Sequence, residues 1–250
     1  MSLATIVRTK LKQRLLPVAL DYAVRSTWPQ RKFLRDFLRA HRIDCVLDVG
    51  ANVGQYGDDL RAIGYTGLII SFEPDPDTFE RLSAHVAGLP NRVAIGVALG
   101  SEAKVASFHR MAASVFNSFR TPSSHDTHQF DHENRIVETV EVEVQTLATL
   151  LPQLKARHQF SRPLLKMDTQ GFDVEVFRGA AGVYQDIVAI QSELPVKHLY
   201  EGTPSWTDAI AEYQAQGFDL AGIYQVNPGW DLVELDCYLV RKGFHPGQEG

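Results

Sequence analysis

Residues 46–57 read Val46-Leu47-Asp48-Val49-Gly50-Ala51-Asn52-Val53-Gly54-Gln55-Tyr56-Gly57, an apolar run that passes through a turn with two glycines into a polar, helix-opening stretch. The run has the length and composition of a buried strand. Gly50 and Gly54 let the backbone bend sharply and come close to a ligand, because a Cβ at either position would intrude. Free N–H groups at the start of the next helix can receive an anionic group such as a carboxylate. The following apolar run ends in Phe72-Glu73-Pro74. A carboxylate at the tip of the second strand of such a sheet is placed to accept both hydroxyl protons of a ribose. Strand, glycine turn, helix, strand and acid together describe a nucleoside-binding half-sheet. The plainer alternative is a tight corner at Gly50 and Gly54 with Glu73 capping a helix.

Two nucleoside cofactors compete for such a site. A dinucleotide fingerprint, G-x-G-x-x-G, needs its second glycine to make room for pyrophosphate. Asn52 occupies that position, which disfavours a nicotinamide dinucleotide and leaves S-adenosylmethionine. Asp48, just before the turn, suits the cationic methionine amino group or serves to fix the loop that holds it.

Further along the chain, short apolar runs at 45–49, 68–73, 92–98, 164–168 and 187–193 alternate with helical stretches at 55–63, 76–87, 174–178 and 207–216. This is the pattern of parallel strands joined by crossover helices, an α/β fold. Runs at 220–226 and 233–240 flank Asn227-Pro228-Gly229 and read as an antiparallel hairpin, so the sheet ends with one reversed strand. An insertion at about 104–159 fits no plain crossover. Its edges, 104–109 and 137–144, alternate like strands, and 113–134 between them is rich in Ser, His, Asp and Asn. Loops of that length inside a compact domain are commonly functional, and a lid over the site is expected. If the loop is helical, His128 and His132 lie one turn apart in a His- and Asp-rich cluster with transition-metal character.

With 250 residues, 44% hydrophobic and 22% charged, the chain suits one large globular domain and excludes a disordered or fibrous protein. No apolar run approaches the roughly 20 residues of a membrane-spanning helix, and the first residues lack the blocks of a secretory signal. A cytoplasmic location is expected. Cys45 and Cys237 lie in apolar runs, which offers neither a disulfide framework nor a thiolate metal cluster. Residues 1–42 carry a net charge of +8 and residues 43–250 a net −13. The extension 1–42 reads as a basic helical arm on an acidic body. Leu3, Ile6, Val7, Leu11 and Leu15 form one amphipathic stripe, and Phe33, Leu34, Phe37 and Leu38 a second. Such an arm could meet anionic lipid at the inner face of the membrane or a second copy of the chain, or pack on the body.

The runs VLDVGANVGQYG, FEPDPDTFERL, RVAIGVALGSEA, LLKMDTQGFDVEVFRGA and IVAIQSELP together resemble the FkbM family of S-adenosylmethionine-dependent methyltransferases. The likeness spans about residues 43–242. It implies a Rossmann-like class I methyltransferase sheet, with the turn residues Asp48, Gly50, Ala51, Asn52 and Gly54 around the methionine half of the cofactor. It also implies Glu73 on the ribose, with Ala98 and Leu99 along the adenine. Family members resemble O-methyltransferases acting on hydroxyls of sugars, polysaccharide or glycolipid precursors and polyketide natural products. The chain departs from the family at Thr169-Gln170, where a small apolar residue and then Glu are more usual; Gln170 can hydrogen-bond but cannot take up a proton at neutral pH.

Methyl transfer from a sulfonium is an in-line displacement, so holding both partners in line is the enzyme's main contribution. A carboxylate or histidine beside the acceptor hydroxyl adds roughly 10²–10⁴-fold by taking its proton. Reactive centres in open α/β sheets lie outside the carboxyl ends of the strands. That rule selects Asp168 and Glu193 as base or substrate orienter, with His198 as a further candidate. Lys166, two residues before Asp168, lies on the same strand face and can pair with it. A divalent metal is compatible with this chemistry, though no spacing demands one. Three functions stay open: an O-methyltransferase acting on a hydroxylated small molecule or glycan, a non-catalytic methyltransferase-like binding module, and a nicotinamide-dependent oxidoreductase. Nucleic acid is not an expected partner, because the acidic body repels phosphates.

Overall fold

The computed structural model describes residues 28–128, 130–226 and 231–244. The stripe Leu3–Leu15 and the Asn227-Pro228-Gly229 turn lie outside the described residues. Seven strands form the main sheet: β1 (Cys45–Val49), β2 (Leu68–Phe72), β3 (Arg92–Ile95), β7 (Pro163–Met167), β8 (Ala189–Pro195), β9 (Phe218–Gln225) and β10 (Glu234–Arg241). Their order is β3-β2-β1-β7-β8-β10-β9. β10 runs antiparallel to both β8 and β9, and the pairs among β1, β2, β3, β7 and β8 are parallel. The expected reversed C-terminal strand is therefore present, and it sits one place inside the sheet edge. Both faces of the sheet are covered, which is why β1 and β7 are buried at every position and read as continuous apolar runs.

On one face lie α1 (Trp28–Ala40) and α2 (Gln55–Ala62). The Phe33/Leu34/Phe37/Leu38 stripe of α1 packs with Val46, Ile69 and Tyr238 of the sheet, and the Phe33 ring lies 5.1 Å from that of Tyr238. On the other face, α4 (Leu147–His158), α5 (Asp173–Arg178) and α6 (Trp206–Ala215) bury Leu147, Leu151, Phe177 and Tyr213 against Leu47, Leu165 and Ile190. α3 (Pro76–Val86) runs beside β3; the side chain of Asp75 caps it by accepting from Thr78 N, and Pro76 follows in the first turn, the geometry favoured at helix starts.

Two expectations are revised. The strand expected at 92–98 stops at Ile95, and Ala98–Leu99 (β4) belongs to a second, three-stranded sheet with β5 (Lys104–Met111) and β6 (Ile136–Gln145) in the order β4-β6-β5. Gly96 lies where the chain bends beneath the Phe79 ring, and a Cβ there would come within 2.9 Å of it. The insertion also contains α4, for which no helix was expected. Its signals are the Thr146 side-chain cap and the 147/151/154 leucine spacing, with Pro152 inside the helix masking them. The intervening stretch crosses back over the carboxyl ends of the main strands and bears a 3₁₀ turn, Ser114–Phe116. The stretch around His128 and His132 is not helical. Instead, His128 pairs with Asp131.

Candidate active site

The carboxyl ends of β1, β2, β7 and β8 meet a cavity of about 250 Å³. It lies where the chain order reverses between β1 and β7, the switch point of a doubly wound sheet. Gly50, Asn52, Glu73, Ala98, Leu99, Asp168 and Glu193 line it. Of the other residues expected at the site, Asp48, Ala51, Gly54 and His198 lie outside the lining.

The corner after β1 is built by sterics. Gly50 has φ +77°, and a Cβ there would sit 2.0 Å from the Asp168 carbonyl oxygen. Glycine is thus required by the close approach of β7's end, a different reason from the expected contact with a ligand. Asn52 is also left-handed, at φ 47°. Its backbone N–H donates to Glu73 Oε2 at 2.9 Å, while Asp75 N–H donates to Glu73 Oε1 at 3.0 Å. These bonds fix the carboxylate at the cavity wall and leave lone pairs on both oxygens for a ligand's hydroxyls. Burial raises Glu73 to about 7, partly opposed by the two N–H donors.

Behind the strand tips a polar row crosses the sheet. In register, Asp48 neighbours Ser71 and Lys166, and Lys166 neighbours Gln191. Lys166 Nζ lies 3.0 Å from Asp48 Oδ1 and 3.3 Å from Asp168 Oδ2, 4.8 Å from the Tyr56 ring centre. The expected Lys166–Asp168 pairing is therefore present, shared with Asp48. Asp48 is 0% exposed, so its partner is Lys166 and it does not meet the cavity. Burial would lower Lys166, but the Asp48, Asp168 and Glu193 carboxylates more than reverse this and hold it charged.

At the tips, Asp168 is the accessible acid, its side chain 39% exposed. Gln170 Nε2 reaches Asp168 Oδ1 at 3.2 Å and Glu193 Oε2 at 2.9 Å. Burial, then the neighbouring Asp168, Glu234, Asp236 and Asp173, raises Glu193 well above the ordinary carboxylate range. The turn between Asp168 and α5 is clamped by Asp173. Its Oδ1 accepts from Thr169 N–H and Oγ1, and its Oδ2 from Ser192 Oγ and Glu193 N–H. His198 Nδ1 lies 2.9 Å from Asp126 Oδ2, away from the cavity. Among the described residues, no group of three or more His, Cys, Asp or Glu is arranged to hold a metal ion.

Much of the remaining wall is apolar, interspersed with Gln55, Ser114, Asn117 and Thr169. Phe72, Val97 and Phe108 stand near Ala98 and Leu99, while Phe116 and Phe130 come from the crossing stretch. Ser114 of that stretch accepts from Asn52 Nδ2 at 3.2 Å. Glu234, Phe116 and Phe130 were not expected from the sequence. Glu234 could have been found, because the first residue of a reversed strand lies at the same sheet edge as the last residues of its parallel neighbours.

Among the described residues, the ionisable members of the lining are Glu73, Asp168, Glu193 and Glu234, with no Lys, Arg or His. Fold and site thus define a Rossmann-like α/β protein of the class I methyltransferase kind. The sequence profile described as "Methyltransferase FkbM domain" matches residues 48–220, and the chain belongs to the FkbM family of S-adenosylmethionine-dependent methyltransferases. No curated protein matches it. Among solved structures, the magnesium protoporphyrin IX methyltransferase ChlM from Synechocystis PCC 6803 with bound S-adenosylmethionine is similar over 85% of this chain and 78% of its own, at 10% identity and TM-score 0.48. An rRNA methylase from Streptococcus thermophilus is similar over 84% of this chain and 94% of its own, at 14% identity and TM-score 0.41. Aeropyrum pernix fibrillarin with natively bound S-adenosyl-L-methionine is similar over 79% and 66%, at 15% identity and TM-score 0.42.

Proposed function

We propose that the chain transfers the methyl group of S-adenosylmethionine to a hydroxyl of a sugar, a polysaccharide or glycolipid precursor, or another hydroxylated natural product. The charge of the cavity carries this reading: its ionisable lining is entirely acidic. Those of the acids that are ionised attract a sulfonium and an ammonium and repel pyrophosphate, and binding of a cation favours ionisation of the rest. The same charge counts against a nicotinamide dinucleotide and against a nucleic-acid backbone. The residues fit the cofactor: Glu73 presents a carboxylate for the ribose hydroxyls, Ala98 and Leu99 with Phe72 and Val97 offer an apolar slot for adenine, and Gly50 and Asn52 border the methionine half.

When bound, S-adenosylmethionine supplies an electrophilic methyl group on a sulfonium. Asp168 is the proposed base, because it is the accessible acid at the strand tips and has Lys166 as counter-charge. Glu193, whose proton affinity is raised by burial, is the proposed orienter of the acceptor hydroxyl. The stretch bearing Ser114 and Phe116 acts as a lid that excludes water from the reacting centre. The test is transfer of labelled methyl from S-adenosylmethionine to a panel of glycans and hydroxylated metabolites. Label should appear on an acceptor oxygen and fall about 10²–10⁴-fold in Asp168→Asn. Transfer only to amines or thiols would contradict the hydroxyl acceptor. Cofactor binding with no transfer to any acceptor would favour a binding module.

A further inference from the structure

The Gln170 carboxamide is held at both ends. Its nitrogen spends its two hydrogens on Asp168 Oδ1 and Glu193 Oε2, at 3.2 and 2.9 Å. Its Oε1 lies 2.9 Å from the Tyr200 hydroxyl, which donates to it. The same hydroxyl lies 2.9 Å from the Phe116 carbonyl of the stretch crossing the cavity, so its single proton is shared between the two acceptors. Tyr200 is 3% exposed, so water competes little for these partners. The Gln170 backbone is pinned too: its φ of 51° is left-handed, and its carbonyl accepts from Ser118 Oγ at 2.7 Å. A left-handed non-glycine residue is a disfavoured conformation that the surrounding bonds must hold in place.

We infer that Gln170 and Tyr200 are positioning residues, which fix Asp168 and Glu193 relative to one another and tie that arrangement to the seating of the Ser114–Phe116 turn on the cavity. The phenol orients the amide with its oxygen outward from the acids, so that N–H groups face both carboxyls. An N–H donor stabilises the ionised form of a carboxyl. The two acids therefore share a single amide as their common partner, and removing it changes the proton affinity of each. The charged and titratable groups facing Glu193 are Asp168 and Lys166 from β7 and its end, Asp173 from α5, and Glu234 and Asp236 from β10. Of these, Asp168 is itself bonded to Gln170 and its proton affinity changes along with that of Glu193, while the Tyr200 phenol, which also faces the acids, is removed in Tyr200→Phe. The purpose of the device rests on the methyl-transfer reading, but its test does not.

The experiment is a carboxyl-carbon NMR titration of the full chain labelled with ¹³C at the glutamate side-chain carboxyl. The Glu193 signal is identified by its loss in Glu193→Gln. In Gln170→Leu the Glu193 midpoint should move up by about one pH unit, a tenfold gain in proton affinity. In Tyr200→Phe, where the amide stays but loses its orienting donor, the shift should be upward and severalfold smaller. A residue that merely fills space would leave the midpoint in place, so midpoints that coincide with the parent in both variants overturn the inference. Should Gln170→Leu not fold, Tyr200→Phe decides alone by the same criterion. Failure of the methyl-donor reading would show separately, as absence of binding of S-adenosylhomocysteine to the parent protein.

Discussion

Lys166 shows how one buried charge organises the site. It is 3% exposed and lies within salt-bridge distance of Asp48 and Asp168. Lys166→Met strands the fully buried Asp48 without its cation, and loss of about 3–5 kcal/mol of stability is expected in chemical denaturation. Adding Asp48→Asn to that variant should recover part of the loss. Glu73 gives a prediction in pH. Its pKa is raised to about 7, and ribose hydroxyls donate to the ionised form. Affinity for S-adenosylhomocysteine should therefore rise as pH increases from about 6 to about 8, with one proton released on binding near the lower end. Glu73→Gln should bind about tenfold more weakly at pH 8, without that slope. Equal affinity at both pH values in the parent would contradict the role given to Glu73. The pairing of Lys166 with Asp168 was readable from a two-residue strand spacing. That Asp48 pairs with Lys166 inside the sheet was not, because it depends on which strand lies next to β1.

The strand tips carry most of what the sequence revealed. Gly50, Glu73, Asp168 and Glu193 each follow or end an apolar run, and the rule that sites lie at carboxyl ends brings them together without coordinates. The rest depends on elements distant in sequence. Ser114 and Phe130 meet the site through how the insertion folds back, and Tyr200 through the segment after β8; no local pattern marks them. His198 was a candidate by its position after the fifth strand and by its chemistry, and the segment after β8 carries it to Asp126 instead. The corner at β1 is tested by Gly50→Ala. With a Cβ 2.0 Å from the Asp168 carbonyl and a left-handed φ, the cost should be about 3 kcal/mol, together with loss of cofactor binding as β1 and β7 separate. The turn 169–172 is tested by Asp173→Ala, which removes the acceptor of four hydrogen bonds. Loss of at least about 2 kcal/mol is expected, and a variant as stable as the parent would show that the clamp is dispensable.

Over the whole molecule, charge is divided between a basic extension and an acidic body, net +8 against −13. No helix among the described residues is long and apolar enough to cross a membrane. The extension's second apolar stripe is spent on the sheet, since α1 buries Leu34, Phe37 and Leu38. We propose that the first residues lie on an anionic membrane surface, where a lipid-linked acceptor would be found. Deleting residues 1–14 should weaken binding to anionic vesicles and leave turnover of a soluble acceptor intact; unchanged vesicle binding would remove the proposal. The acidity of the body bears more directly on the chemistry, because it culminates in a cavity whose ionisable walls, among the described residues, are carboxyl groups. The most direct measurement is calorimetric titration of the whole chain with S-adenosylhomocysteine and, in parallel, with a nicotinamide dinucleotide. Saturable one-to-one binding of the first, weakened at least tenfold by Glu73→Ala, with none of the second, is the predicted result. No heat with S-adenosylhomocysteine, or saturable binding of the dinucleotide instead, would contradict it.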